Sequence, residues 1–447
     1  MRQKMERLIN GLLWLIILGF GFLAARDYVE DNYVPDAFVQ PNTHAPALVK
    51  IAAKVEHGDD TWLKNHFSAP IPPMGEAPEH WTEVEASLDP AQCGVCHPAQ
   101  YQDWKSSWHA MGMGPGMMGQ LMDGASDKTV DNCQRCHAPN AEQYPRLNGE
   151  ENPHFDEELR TQGLTCAGCH VRDWTRYGPG DNATEPIPTE DTKDTDSADS
   201  GDTEEPRLPH DGFVANAVYN DAVFCESCHD FSGDDKKLND KYLQETYAEW
   251  RRTQYAEDGV TCQSCHMPEG RHLWKGIHDP DLVKGGMTVT AELESLGTGF
   301  MEPIMASLTV TNTGVGHRMP TYTTPRIVLV MEQVDATGTA IEGTRQEGFI
   351  GREVGPMLDN EVYDTRLFPE ESFTLRYEAE VHENAVNLDA RVEVWPDEAY
   401  TRAYTIWTEK RAEDYPNGLP LLQEALEASI ESRYVAWEQT VPIGDAG

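Results

Sequence analysis

Every cysteine of the chain sits in one repeated unit. The ten fall at Cys93 and Cys96, Cys133 and Cys136, Cys166 and Cys169, Cys225 and Cys228, and Cys262 and Cys265, and a histidine follows each pair at once. Paired cysteines at this spacing can mean disulfides in an exported protein, zinc half-sites or redox thiols. A histidine after every pair, with no cysteine left over, argues against all three. CxxCH is the attachment motif of haem c: two thiols add across the porphyrin vinyl groups, and the adjacent imidazole comes to lie under the iron. The copies CGVCH (93–97), CQRCH (133–137), CAGCH (166–170), CESCH (225–229) and CQSCH (262–266) therefore predict five covalently attached haems c. Their proximal ligands are expected to be His97, His137, His170, His229 and His266.

The flanking composition divides the chain. Arg2, Lys4 and Arg7 precede an apolar run from Leu8 to Ala25, and Asp27, Glu30 and Asp31 follow it. Basic before and acidic after is the charge order of an exported segment. Residues 1–26 thus read as a membrane anchor or signal. Leu23-Ala24-Ala25 departs from the small-x-small pattern of a cleavage site, which favours a single-pass helix in the inner membrane with the haem domain in the periplasm. Cleavage stays as the alternative, because the run is at the lower limit for spanning a bilayer.

Residues 27–88 contain Pro35, Pro41, Pro46, Pro70, Pro72 and Pro73 and read as an extended tether with room for one short helix. Residues 89–285 hold all five motifs and show little sustained periodicity, so a mainly α, irregular domain of short helices and loops is expected. Inside it, 181–206 is rich in Asp, Glu, Thr, Ser and Pro without an aromatic, and reads as a disordered acidic insertion. From 286 the pattern alternates: Leu308 and Val310 between threonines, then Phe373, Leu375, Tyr377, Ala379 and Val381 between polar residues, with a nearly continuous apolar run from Arg326 to Val334. An all-β, immunoglobulin-like sandwich over 286–410 is the expectation. Leu419, Leu422, Leu426 and Ile430 recur at helical spacing, so 411–447 should close the chain with an amphipathic helix and a tail.

The formal net charge is −41. That excludes nucleic acid as a partner, disfavours anionic lipid headgroups and suits redox partner proteins with a basic docking surface. A solvated acidic surface of the kind found in saline habitats would account for the charge equally well.

A repeat lies within the motif region. YQDWKSSWHA (101–110) matches YAEWRRTQYA (247–256) in its Tyr, acidic residue, Trp, basic residue, hydroxyl residue and final Ala, but His109 in the first copy is Tyr255 in the second. Five histidines outside the motifs lie between the first motif and the end of the region: His109, His154, His210, His272 and His278. Their number permits a second imidazole at every haem. His317, in the glycine-flanked loop NTGVGHRMPT (312–321), could serve a haem from the neighbouring domain or be an ordinary turn residue. His44, His57, His66, His80 and His382 read as solvated or structural. Met111, Met113, Met117, Met118 and Met122 read as packing against porphyrin, with iron ligation the less favoured role.

CGVCHPAQYQDWKSSWHAMG resembles the motif of the cytochrome c-552/c-554 type multihaem family, in which CxxCH is followed by Tyr, Trp, a hydroxyl residue and a ligating histidine. FCESCHDF, YAEWRRTQYAEDGVTCQSCHMPEGRH, the GHRMPT loop and YDTRLFPEES extend the likeness over about residues 89–440. The resemblance implies closely packed haems, mostly ligated by two histidines, and electron transfer as the role. It also implies His109, His210, His272, His278 and His317 as distal ligands, with His154 set aside. Tyr255 departs from the family pattern and leaves open whether one haem is five-coordinate.

A membrane-anchored electron carrier is the expected function, more than an enzyme. The alternative is an oxidoreductase acting on a small nitrogen or sulfur compound at one five-coordinate haem, where Tyr255, His154 and Arg271 would be the residues to examine. A subunit of a polymeric haem wire is a third reading, against which the anchor argues.

Overall fold

The computed structural model describes residues 60–179, 207–295, 303–356 and 358–443. The expected anchor, most of the tether and the acidic insertion lie outside them. Among the described residues no helix is long and apolar enough to cross a membrane.

The motif region is a set of short helices, including Pro90–Cys96, Pro98–Lys105, Pro115–Leu121, Asp127–His137, Cys166–His170, Val223–His229, Thr246–Trp250 and Cys262–His266. Each CxxCH lies on such a helix or at its C-terminal end. Positions i, i+3 and i+4 share a helix face, so both thiols and the imidazole of a unit project together. Local chemistry starts these helices. Asp89 accepts from the Ala91 N–H ahead of Pro90, Ser126 accepts from Thr129, and Thr261 forms a capping box with Ser264. Helices of one or two turns do not hold themselves. They are pinned instead by small apolar clusters such as Ile71, Met74, Ala167 and Val171, or Met113, Leu121 and Ala138.

The repeat is structural as well as sequential, and longer than ten residues. The Trp104 indole donates to Leu164 O (2.7 Å) and the Trp250 indole to Val260 O (2.9 Å), in each case two residues before the first cysteine of a motif. Ser107 and Thr253 cap the same turns through Trp104 O and Trp250 O. His109 O accepts from Leu164 N, and Tyr255 O from Val260 N, both at 2.9 Å. Each copy therefore fastens its Trp helix to the entry of a later CxxCH unit.

The tether contributes one helix, Asp60–His66. His66 is structural: it is 3% exposed, and its Nε2–H donates to Cys169 O at 2.7 Å.

Eight strands build the C-terminal domain: β1 (Met287–Ser295), β2 (Ile304–Asn312), β3 (Arg326–Val334), β4 (Gln346–Val354), β5 (Glu361–Asp364), β6 (Ser372–Ala379), β7 (Asn387–Trp395) and β8 (Tyr434–Pro442). They form two antiparallel sheets, ordered β5-β4-β3-β7-β8 and β6-β2-β1. One core joins the inner faces, with Leu308, Val310 and Tyr377 against Ile327, Leu329, Ile350, Val392 and Val394. The apolar run 326–334 is the central strand, buried on both faces from Ile327 to Val334, as a strand between two neighbours and under a second sheet must be. The sandwich is thus present, but its boundary moves. The tail expected after the closing helix is β8, paired along β7 from Leu388↔Val441 to Val394↔Tyr434.

The closing helix forms as Leu419–Glu431. It buries Leu422, Ala425 and Ser429 and leaves Ile430 48% exposed, so its inner face is turned from the expected leucine stripe. The reason is its partner. Gly119 of the Pro115–Leu121 helix lies so close to Leu422 and Gly418 that a β-carbon there would meet both at about 3 Å, and close approach of this kind needs glycine.

Candidate functional site

The five motifs abut in a definite order. Cys93 lies within hydrogen-bonding reach of Cys166, Cys136 of Cys228, and Cys225 of Cys262. The first unit therefore neighbours the third, the fourth neighbours both the second and the fifth, and no disulfide forms.

Four motif imidazoles face an imidazole from elsewhere. Ring centroids are 6.5 Å apart for His97 and His210, 6.1 Å for His170 and His272, 6.3 Å for His229 and His109, and 6.4 Å for His266 and His317. An iron bound on each side at roughly 2 Å, the usual metal–imidazole nitrogen distance, holds two ring centres about 6 Å apart. The protonation pattern suits ligation too. The Nδ1–H groups of His137, His170, His266, His210, His272 and His317 donate to the carbonyls of Gly112, Tyr177, Lys275, Gly212, Gly270 and Arg318 at 2.6–3.0 Å. Nδ1 is thereby the protonated nitrogen, and Nε2 keeps its lone pair for a metal. His66, His80 and His278 do the reverse, engaging Nε2 with Cys169 O, Asp211 and Asp397.

Burial favours the neutral form of several of these rings, the form a metal ligand needs. It holds His109 down to about 3, helped by the neighbouring His229, and His170, His229 and His317 down to about 4. His97, His137 and His272 are lowered as well, chiefly by burial.

Several anticipated residues stand apart. The His278 ring lies 4.0 Å from Trp108 with Nε2 bonded to Asp397 at 2.9 Å, and no motif imidazole faces it. His154 is exposed. Among the described residues no histidine ring faces His137; the neighbouring residues Cys133 and Ala138 pack with Met113, Met117, Met118 and Leu121. Tyr255 does not mark that site: its ring packs on Gly316, next to His317. Arg271 is bound to Asp103. None of Tyr255, His154 and Arg271 is found in the cluster around Cys133 and Ala138.

Residues that position the imidazoles were not visible as a motif. Asn312 is fully buried and donates to His317 O and Leu367 O (3.1 and 3.0 Å), while Thr253 donates to Gly316 O at 3.1 Å, so the loop carrying His317 is held from both domains. Asp103 accepts the His272 N–H at 3.1 Å, and Glu249, its counterpart in the repeat, accepts from Thr321 at 2.8 Å. An acidic residue kept in both copies was the available signal.

The residues fit haem c. Thiol pairs and imidazole converge on one face of each motif helix, and the His109 ring, largely but not wholly covered, faces His229 with ring centres 6.3 Å apart. The family model for cytochrome c554 and c-prime matches residues 92–171. The fold is similar to the crystal structure of a penta-heme cytochrome c552 from Thermochromatium tepidum, at 18% identity, over 80% of this chain and 99% of that one, with a TM-score of 0.53. The chain is a multihaem c-type cytochrome. No curated protein matches its sequence. Bound haem would supply one-electron chemistry here; the cytochrome's own residues supply attachment, neutral imidazoles and burial.

Proposed function

We propose that this cytochrome carries five haems c, one on each CxxCH unit, and passes electrons between a donor at the inner membrane or in the periplasm and a downstream acceptor. The observation that carries the reading is the facing of four motif imidazoles by four others at 6.1–6.5 Å. Irons closed on both faces take no substrate and are suited to conduction. The adjacency of the units supports a route in which the fourth, at Cys225–His229, meets the second and the fifth, and the first meets the third. The basic-then-acidic N-terminus supports anchorage in the inner membrane with the haem domain in the periplasm, and the charge of −41 supports basic redox partners.

A second reading has its own observation, the absence among the described residues of an imidazole facing His137. One open iron would suit an oxidoreductase acting on a small nitrogen or sulfur compound. The groups to examine as proton carriers are Tyr400, Tyr322 and the Asp397–His278 pair, joined at 2.9 Å.

The intact mass of the holoprotein should exceed the polypeptide by five haems, and replacing Cys225 and Cys228 should remove one. Electron paramagnetic resonance of the oxidised protein separates the two readings. A wholly low-spin spectrum excludes the enzyme; a high-spin signal that shifts with cyanide or hydroxylamine excludes the pure carrier.

A further inference from the structure

We propose that Trp274 is a positioning residue shared by two iron sites, holding the imidazoles of His109 and His272 in fixed planes. This rests on the pairing of His109 with His229 and of His272 with His170 given above.

The Trp274 ring centroid lies 4.6 Å from that of His109, at 59° between planes, and 5.1 Å from that of His272, at 86°. One indole thus wedges between rings that belong to the fourth and third sites. Its backbone is unusual: φ is 40°, a left-handed conformation that is costly for a non-glycine residue and rarest for bulky side chains. The surroundings impose it from both directions. The Trp274 N–H donates to His266 O at 3.0 Å, and the following carbonyl, Lys275 O, accepts from His266 Nδ1 at 2.6 Å. Upstream, Arg271 and the His272 N–H are fastened to the buried carboxylate of Asp103 at 2.6 and 3.1 Å. The strained segment is therefore clamped between the first repeat helix and the fifth motif.

His109 shows why a wedge is needed. His210, His272 and His317 have their rings set by an Nδ1–H bond to a carbonyl. Among the described residues no hydrogen bond orients the His109 ring, so packing against Trp274 is what fixes its plane. The orientation of an axial imidazole is one of the levers by which a protein tunes its iron.

The test uses the holoprotein with Trp274→Ala and Trp274→Phe, and His109→Ala and His272→Ala to identify the two sites. Electron paramagnetic resonance and a potentiometric titration are read for all variants. Trp274→Ala should displace the low-spin g-values and midpoint potentials of two sites, those lost in His109→Ala and His272→Ala, and leave the others in place. Trp274→Phe should move the same two in the same direction by less, and it carries the test if the alanine variant does not assemble. Unchanged spectra and potentials, or shifts spread over every site, overturn the proposal while leaving the ligand pairs intact. If His109→Ala and His272→Ala leave every signal low-spin, the pairing itself is wrong, and the role of Trp274 falls with it.

Discussion

The rings of His266 and His317 face each other at 6.4 Å with planes 14° from parallel, although one stands on the last CxxCH helix and the other on a loop of the β-sandwich. Asn312 and Thr253 anchor that loop from the two sides, so the sandwich presents an imidazole to the fifth motif as well as packing beside it. Replacing His317 by Ala should convert one low-spin haem to high-spin and leave the rest. Added imidazole should restore the low-spin signal, because the slot stays while its ligand is lost. A spectrum unchanged from wild type would show that His317 is a turn residue.

The two repeat tryptophans make parallel predictions. Trp104→Phe and Trp250→Phe each keep an aromatic ring but leave the carbonyl of Leu164 or Val260 without its donor. An unsatisfied buried carbonyl costs about 1–3 kcal/mol. The loss should be greater for Trp104, which is 7% exposed, than for the half-buried Trp250. Chemical denaturation of the holoproteins gives the ordering; equal, negligible losses would mean that the shared geometry carries no energy.

What was legible in the sequence was what is local. CxxCH is a covalent requirement written in five residues, and strands of the sandwich such as β6 and β7 alternate because one face is buried, while the central β3, buried on both, reads as an apolar run. The strand Tyr434–Pro442 was missed because it follows a helix and gains its identity by pairing with β7. Distal pairing could not be read at all in this way, since it depends on which loops meet. His272 and His278 are six residues apart in similar surroundings, yet one faces His170 and the other binds Asp397. Tyr255 looked like the mark of an open site, but no histidine is lacking beside it. Among the described residues the motif without an imidazole partner is the second, where the nearby sequence showed only methionines.

A buried ion pair joins the two domains. Arg366, with its side chain 1% exposed, bonds Glu249 at 2.8 Å and also Asp364. Arg366→Met should cost about 3–5 kcal/mol, because it leaves the Glu249 carboxylate buried without its cation. Glu249 is already raised above the usual carboxylate range by burial, with Arg366 opposing the rise. Losing Arg366 raises it further, so the folded variant holds a proton that the unfolded chain gives up. The deficit should therefore be small in acid and grow as pH rises past the unfolded carboxylate value. Adding Glu249→Gln should recover much of the stability and remove that pH dependence.

His66 gives a pH dependence of the opposite sense. Burial, then the charge of Arg172, lowers it from 6.5 to about 3, and the neutral ring donates to Cys169 O while stacking on Trp62 at 4.2 Å. Above pH 6.5 the ring is neutral in both states and the fold has the full benefit of the contact. Below it the unfolded chain takes up a proton that the folded one refuses, so stability falls toward pH 3 by about 1.4 kcal/mol per pH unit. Other buried histidines also resist protonation, which makes a comparison with His66→Gln necessary. The amide can still donate to Cys169 O but does not titrate. Its denaturation free energy should fall less steeply between pH 6.5 and 4 than that of the wild type, and the two curves should run parallel above pH 7. Parallel curves throughout the acid range would mean that His66 is protonated as readily in the fold as outside it.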